Sequence, residues 1–317
     1  MSRRGGGCLT AVAVVLSLLV VALGAGLLYL VLTNQTPDVP GVSEQTPELG
    51  PKAFEEYTWE ELSQVADLIS DAPSEDEARS IAESYNVAVG STRPLTLTDG
   101  RQASLTVVGI RADRLAEGEG FAGLTLMASP ISVQPMNSAQ TNEGGWEGSE
   151  LRSWLATEGM ALLPDELASS IAPVKKLTNN TGVTSDPAAV TETADALWLF
   201  SGSEVCGPIT WFTDEYGTEP NAYTGYVNFV PYDELLSSEG SQYEYFSAAG
   251  VSAQSDPNGT LRLTYGGSET SWWYRSSYPY SFTGEDASFF FQVMASGFPS
   301  TTGLASEPSG VTVGLCL

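Results

Sequence analysis

The chain has 317 residues, of which 42% are hydrophobic and 10% aromatic, and this is enough for a folded body with a substantial core. Its formal net charge of −26 excludes nucleic acid as a partner, because an acidic surface repels phosphate. Histidine is absent, so triads and zinc sites that need histidine are excluded, whereas catalysis by carboxylates, lysine or tyrosine stays open.

An uncharged segment near the N-terminus predicts a membrane anchor. Residues 9–32 carry no charge and are numerous enough, at about 1.5 Å per residue, to cross a hydrocarbon core of about 30 Å. Arg3 and Arg4 precede this segment and the first acid is Asp38, so the positive-inside rule places residues 1–8 in the cytoplasm. We therefore expect a single-pass protein of the cell membrane with an extracellular C-terminal domain. The alternative is a cleaved signal peptide, whose apolar run is typically only about 7–15 residues long.

The segment after the anchor predicts a stalk and two short helices. Residues 33–53 are rich in proline and lack apolar periodicity, which is typical of an extended linker. Within residues 54–89, Thr58 with Glu61 and Ser74 with Glu77 have the spacing of helix N-terminal caps. Helices this short are not stable alone, so we expect them to pack on each other or on the main body.

Residues 90–317 predict one α+β domain, because strands are followed by a helical hairpin and then by further strands and loops. The hairpin spans residues 151–171, with Pro164 in the first turn of its second helix. Residues 208–245 are aromatic and glycine-rich and predict a long structured loop, a common position for binding elements. The predicted strands are 104–110, 124–128, 196–201, 261–265, 272–276, 288–295 and 310–317.

Five segments in order resemble a domain of unknown function that is common in surface proteins of Gram-positive bacteria. They include a Trp-Leu helix within residues 144–178, a Trp-Trp-x-Arg-Ser segment at 271–277 and a closing Gly-Val strand at 310–317; the others are 127–137 and 193–207. That family is similar in pattern to the C-type-lectin-like fold shared with formylglycine-generating enzymes, which implies a compact domain with a binding face built from loops.

The resemblance has two departures. Thr312 and Gly314 stand where the family's closing strand prefers Arg and Ala. The paired active-site cysteines of the formylglycine-generating enzymes are also missing, so the resemblance implies a fold and no activity.

The most conspicuous candidate site is an aromatic strand with one cation. Alternate side chains of a strand face opposite ways, so one pair would be core and the other would face outward and could stack a sugar or a peptide. The structural alternative is a fully buried strand whose arginine pairs with a carboxylate such as Glu147 or Glu150. The four candidate ligand-binding residues are Trp272, Trp273, Tyr274 and Arg275.

Two further patterns suggest a metal site and a disulfide. Glu219 and Asn221 flank a proline as in the calcium-binding tripeptide of some C-type lectins, but the usual partner motif Trp-Asn-Asp is missing, which favours a chance match. Cys206 and Cys316 fall in predicted extracellular strands and could form a disulfide; two buried free thiols are the alternative.

We therefore expect a membrane-anchored extracytoplasmic binding or adhesion module for a glycan, a cell-wall fragment or a protein. One alternative is a carboxylate-dependent extracellular hydrolase, and another is a structural or signalling ectodomain without a ligand. A groove with two facing carboxyl groups would favour the hydrolase, whereas an exposed aromatic shelf would favour binding. No cofactor is expected beyond the calcium suggested by Glu219 and Asn221.

Overall fold

A computed structural model describes residues 49–283 and 287–317, which form a mixed α and β architecture around one large sheet. The predicted cytoplasmic tail (1–8), the predicted membrane segment (9–32) and residues 33–48 of the predicted stalk lie outside the described residues. Among the residues that are described, no helix has the length and apolar character needed to cross a membrane. Residues 50–317 form one compact unit.

The helices of the described residues are short, apart from the two nearest the N-terminus. The α-helices are α1 (Trp59–Ser70), α2 (Glu75–Ser84), α3 (Glu150–Trp154), α4 (Asp165–Ala168), α5 (Gly202–Cys206), α6 (Trp211–Tyr216), α7 (Val230–Ser237) and α8 (Glu244–Ala248). A π-helical turn (Leu155–Gly159) continues α3, and 3₁₀ turns occur at Phe54–Glu56 and Pro187–Ala189.

The strands of the described residues are β1 (Thr92–Thr96), β2 (Gln102–Ile110), β3 (Leu124–Gln134), β4 (Val174–Asn179), β5 (Val190–Asp195), β6 (Trp198–Leu199), β7 (Leu263–Tyr265), β8 (Ser268–Thr270), β9 (Trp272–Ser277), β10 (Phe289–Val293), β11 (Thr301–Leu304) and β12 (Ser309–Cys316). The main sheet has the order β1-β2-β3-β12-β9-β10-β11, and β6 also pairs with β12. Its pairs are antiparallel except β12 with β9, which run parallel with Gly310 opposite Trp272. Two hairpins, β4–β5 and β7–β8, form separate small sheets.

The two N-terminal helices begin as the sequence predicts and lie against the sheet. The Thr58 side chain accepts from the Glu61 amide and the Glu61 carboxylate accepts from the Thr58 amide, so this predicted cap is confirmed. The Ser74 cap is also confirmed, because the Ser74 side chain accepts from the Glu77 amide. A Cβ at Gly123 would lie 2.0 Å from the Ala66 carbonyl oxygen, which shows how closely α1 packs on the residues before β3.

Three sequence predictions about local structure are wrong. Residues 208–245 are not one loop, because most of their aromatic side chains pack inward on α6, α7 and the start of α8, whereas Tyr223 and Tyr226 stay exposed. The strand predicted at 196–201 is shortened to β6, since Ser201 and Glu204 form a capping box that starts α5. Pro164 is the N-cap of α4 and not a residue of its first turn.

Candidate functional site

The aromatic strand β9 is core, so the prediction that one pair of its side chains faces outward is wrong. Trp272, Tyr274 and Arg275 are fully buried and Trp273 is 1% exposed. The reason is the position of β9 between β12 and β10, where both faces are covered. Trp272 and Tyr274 belong to the aromatic core that packs against α5–α8. On the opposite face of β9, the Trp273 indole donates to the Gln134 carbonyl at 2.9 Å.

Arg275 is paired with a carboxylate, as the structural alternative predicted, but the partner is different. Its guanidinium holds Glu204 in a bidentate pair, with Nη1 2.5 Å from Oε2 and Nη2 2.9 Å from Oε1. Glu150 instead accepts from the Ser138 hydroxyl, and Glu147 is exposed. Glu204 reaches the arginine because the capping box orients it inward at the start of α5.

Glu204 also belongs to a buried network of alternating charges. The Lys176 ammonium lies 2.5 Å from Glu204 and 2.7 Å from Asp113. The Tyr243 hydroxyl donates to Asp113 at 2.9 Å, and so does the Thr125 hydroxyl at 2.7 Å. Burial alone would raise the pKa of Asp113, but the charge of Lys176 and these hydrogen bonds outweigh it and hold that pKa below its ordinary value.

The predicted disulfide is absent, because both cysteines are free and buried in different packing environments. Cys206 ends α5, where its Sγ lies 3.5 Å from the Tyr274 hydroxyl. Cys316 lies in β12, with its Sγ 3.5 Å from the Thr125 hydroxyl. Burial raises the pKa of Cys206 to about 12, so its thiol stays protonated and unreactive.

The loop that carries Glu219 and Asn221 gives no support to the calcium prediction. The Asn221 amide donates to the Tyr216 and Glu219 carbonyls, and its Oδ1 accepts from the Thr224 amide at 3.2 Å. Asn221 therefore shapes a turn. Within residues 49–283 and 287–317, no group of three or more acidic or cysteine side chains could hold a metal ion.

The structure instead brings separate segments together in a groove of about 440 Å³, which we call the aromatic groove. Helix α6 supplies one wall, the residues after β9 supply the rim, and β10 with the start of β11 supplies the base. The lining residues are Trp211, Phe212, Glu215, Tyr216, Tyr278, Phe282, Phe289, Phe291, Ser300, Thr301 and Thr302.

The rings of the aromatic groove are held by aromatic neighbours from below. Trp211 lies 4.4 Å from Phe291 between ring centroids, which anchors α6 to the sheet. Tyr216 stacks on Phe229 at 4.6 Å and meets the edge of Phe282 at 5.8 Å. Phe282 is nevertheless 60% exposed, so it presents an apolar ring to water while its edge contacts Tyr216 and Tyr280.

Polar groups accompany these rings. Glu215 is the one carboxylate that lines the aromatic groove among the described residues, and three consecutive hydroxyls, Ser300 to Thr302, line it as well. Burial and the charge of Glu215 raise the pKa of Tyr278 to about 12, and they raise the pKa of Tyr216 too. Both phenols therefore stay neutral and keep a hydroxyl for hydrogen bonding.

Sequence reasoning found only part of this groove. The aromatic stretch 208–245 marked α6 as a region of interest, and Trp211 and Tyr216 lie in it. Phe282 and Ser300 are about 70 to 90 residues further along the chain, and only the pairing of β9, β10 and β11 brings them to α6. The density of aromatic residues between β9 and β10 could have pointed to Phe282, but no comparable signal marks Ser300.

The chain belongs to the family described as Domain of unknown function (DUF6273), whose model matches residues 122–317. The predicted membership of a domain-of-unknown-function family is thereby confirmed. Neither the curated proteins nor the solved structures yielded a match. Every residue of the aromatic groove lies within the matched residues.

Proposed function

We propose that this member of the DUF6273 family is a binding module and that its ligand is a glycan held in the aromatic groove. The observation that carries this proposal is Phe282, 60% exposed at a groove whose other rings are half-buried or buried. Exposed apolar surface of this kind commonly marks a binding site, because a ligand that covers it removes apolar area from water. The apolar face of a sugar ring is flat enough to lie on such a ring.

The polar groups of the aromatic groove favour a glycan over a purely apolar ligand. Glu215, Ser300 and the Tyr216 phenol offer acceptors and donors beside the rings, and a sugar carries hydroxyls around its rim. The single carboxylate also disfavours anionic ligands at this groove, as does the net charge of −26.

The expected topology fits this function. Arg3, Arg4 and the uncharged segment 9–32 favour a membrane anchor that would display the groove outside the cell. The resemblance to surface domains of Gram-positive bacteria and to the C-type-lectin-like fold supports the same proposal, since that fold builds its binding face from loops.

The hydrolase alternative receives less support from the groove. Glycoside hydrolysis needs a pair of carboxyl groups about 5–9.5 Å apart, whereas Glu215 is the one acid among the described residues that line the aromatic groove. Glu239 has a pKa raised by burial, to about 7, but it is fully buried and does not line this groove.

The test is a glycan and peptidoglycan array probed with a fragment that begins at Asn34 and with two variants. Phe282→Ala should lose binding to the recognised glycans while its melting temperature stays close to that of the parent. Tyr223→Ala is the matched control, because Tyr223 is an aromatic residue that is 89% exposed and does not line the groove. Absence of any bound glycan, or full binding by Phe282→Ala, would contradict the proposal and favour a structural or signalling ectodomain.

A further inference from the structure

A second cleft, of about 500 Å³, lies over the buried charge network and shares no lining residue with the aromatic groove. We call it the cationic cleft, after the basic residues that line it. Five of the chain's 13 Lys and Arg residues line it, and so do five acids. The basic residues are Arg79, Arg111, Arg114, Lys175 and Lys176. The lining is thus balanced in charge, whereas the whole chain carries −26, so an anion is repelled less here than over the chain as a whole.

Arg111 has donor groups in this cleft that the protein does not satisfy. Its side chain is only 16% exposed, yet its Nε is buried without a hydrogen-bond partner. Its one ion pair among the described residues, to Glu75, is 3.5 Å long. Because protein atoms cover the Nε, a ligand in the cleft would be held by the terminal Nη groups, and the long contact to Glu75 leaves these groups with donors to spare.

The backbone of Arg111 is also in an unusual conformation. Its φ is +52°, in the left-handed region that arginine rarely adopts. Asn or Gly would adopt this conformation with less strain, so the presence of arginine at this position lowers the stability of the fold. Residues held this way are concentrated at functional sites.

Arg114 is the second cation with spare donors. Within residues 49–283 and 287–317, no carboxylate lies within 4 Å of its guanidinium, unlike Arg79, which pairs with Glu244 at 2.7 Å. The guanidinium carbons of Arg111 and Arg114 lie 5.8 and 5.9 Å from the centre of the Phe121 ring, which also lines the cleft. One aromatic ring therefore supports both cations.

The floor of the cationic cleft is fixed. Lys176 contacts Asp113, Glu204 and the Tyr243 hydroxyl, the last at 2.8 Å, so its donors are already engaged. Lys176 therefore has a structural role, and the donors available to a ligand belong to Arg111 and Arg114.

We propose that the cationic cleft binds a small molecule bearing a carboxylate or phosphate group, and that Arg111 and Arg114 are its ligands. Guanidinium groups present planar donors that match both oxyanions, and charge-assisted hydrogen bonds of this type are stronger than neutral ones. The proposal does not depend on the glycan function, because the two sites are built from different residues.

Isothermal titration calorimetry on the purified full chain at low ionic strength tests this, with inorganic phosphate and succinate as separate probes. We expect saturable binding of at least one probe at one site, and the probe that binds identifies the oxyanion. Arg111→Asn and Arg114→Gln should each weaken binding by about tenfold or more. The matched control is Arg262→Gln, because Arg262 donates to the Ser296 carbonyl and does not line the cleft; it should keep the affinity of the parent.

Thermal melts separate a ligand-binding role from a structural one. Asn tolerates the left-handed backbone, so Arg111→Asn should melt no lower than the parent although it binds less. The proposal is overturned if neither probe saturates, if Arg262→Gln loses as much affinity as the cleft variants, or if Arg114→Gln keeps full affinity. Phe282→Ala should leave oxyanion binding unchanged, so a failure of the glycan proposal is recognised separately.

Discussion

We expect the Glu239→Gln variant to gain stability relative to the parent as the pH rises. The advantage of the variant should be larger at neutral and alkaline pH than at acidic pH. Glu239 is fully buried; its carboxylate accepts from the Asn179 amide at 2.9 Å, and the Ser276 hydroxyl also contacts it. A Gln side chain has the same shape, and its Oε1 can accept from Asn179 while its Nε2 donates to the Ser276 Oγ. The substitution therefore keeps the packing and removes only the titratable group.

The magnitude follows from the pKa. Burial raises the pKa of Glu239 from 4.5 to about 7 in the folded protein, against hydrogen bonds from Ser276 and Asn179 and the charge of Arg275, which lower it. Between these two values the folded state holds a proton that the unfolded state has released, so the stability of the parent falls as the pH rises. At 1.36 kcal/mol per pKa unit, the loss is about 3 kcal/mol by pH 8. The Gln variant does not show this loss, because it has no carboxyl group at this position.

Urea unfolding of the parent and of Glu239→Gln at pH 5 and at pH 8 measures this difference. We expect the variant to gain about 2–3 kcal/mol on the parent between the two pH values, because part of the loss has already occurred at pH 5 and all other titrating groups are common to both. A difference in unfolding free energy that is the same at pH 5 and pH 8 would refute the raised pKa. A large loss at both would show that Gln does not fit the site.

Three other predictions concern the core. Trp272→Ala and Trp273→Ala should each cost about 3–5 kcal/mol in thermal melts because both rings are buried, and a mild loss at either would restore a binding role for β9. Lys176→Met should cost about 3–5 kcal/mol in urea unfolding, because it leaves Asp113 buried without its cation. As the pH falls through the lowered folded pKa of Asp113, the parent should lose the stability that the ionised Asp113 contributes, and the variant should lose less. Without reductant, a thiol reagent should label two cysteines, Cys206 and Cys316, when the fragment that begins at Asn34 is unfolded. It should label almost none in the native fragment, whereas a disulfide between the two cysteines would prevent labelling in both states.

Local signals in the sequence predicted local structure correctly. The Thr58 and Glu61 pair started α1 at the expected residue, because an N-cap depends on side chains only three positions away. β2, β9 and β12 lie close to their predicted limits, since runs of apolar and β-branched residues are readable without knowledge of the partners.

The features that failed depend on contacts between distant residues. β9 has large side chains at consecutive positions, so no alternation told which face was buried, and its central place in the sheet decided that both are. The same limit applies to Arg275, whose partner Glu204 is 71 residues away. Arg111 was not singled out at all, because a left-handed backbone and an unpaired Nε leave no mark on a one-dimensional pattern.

The central place of β12 also constrains the order in which the protein can fold. β12 pairs with β3, β6 and β9, and in the first of these pairs Thr125 meets Cys316, 191 residues later. While the chain is being synthesised, the two parts of the sheet on either side of β12 therefore stay unjoined until residues 309–316 are available. Such long-range pairing makes folding slow, because a long loop must close before the two parts of the sheet can join.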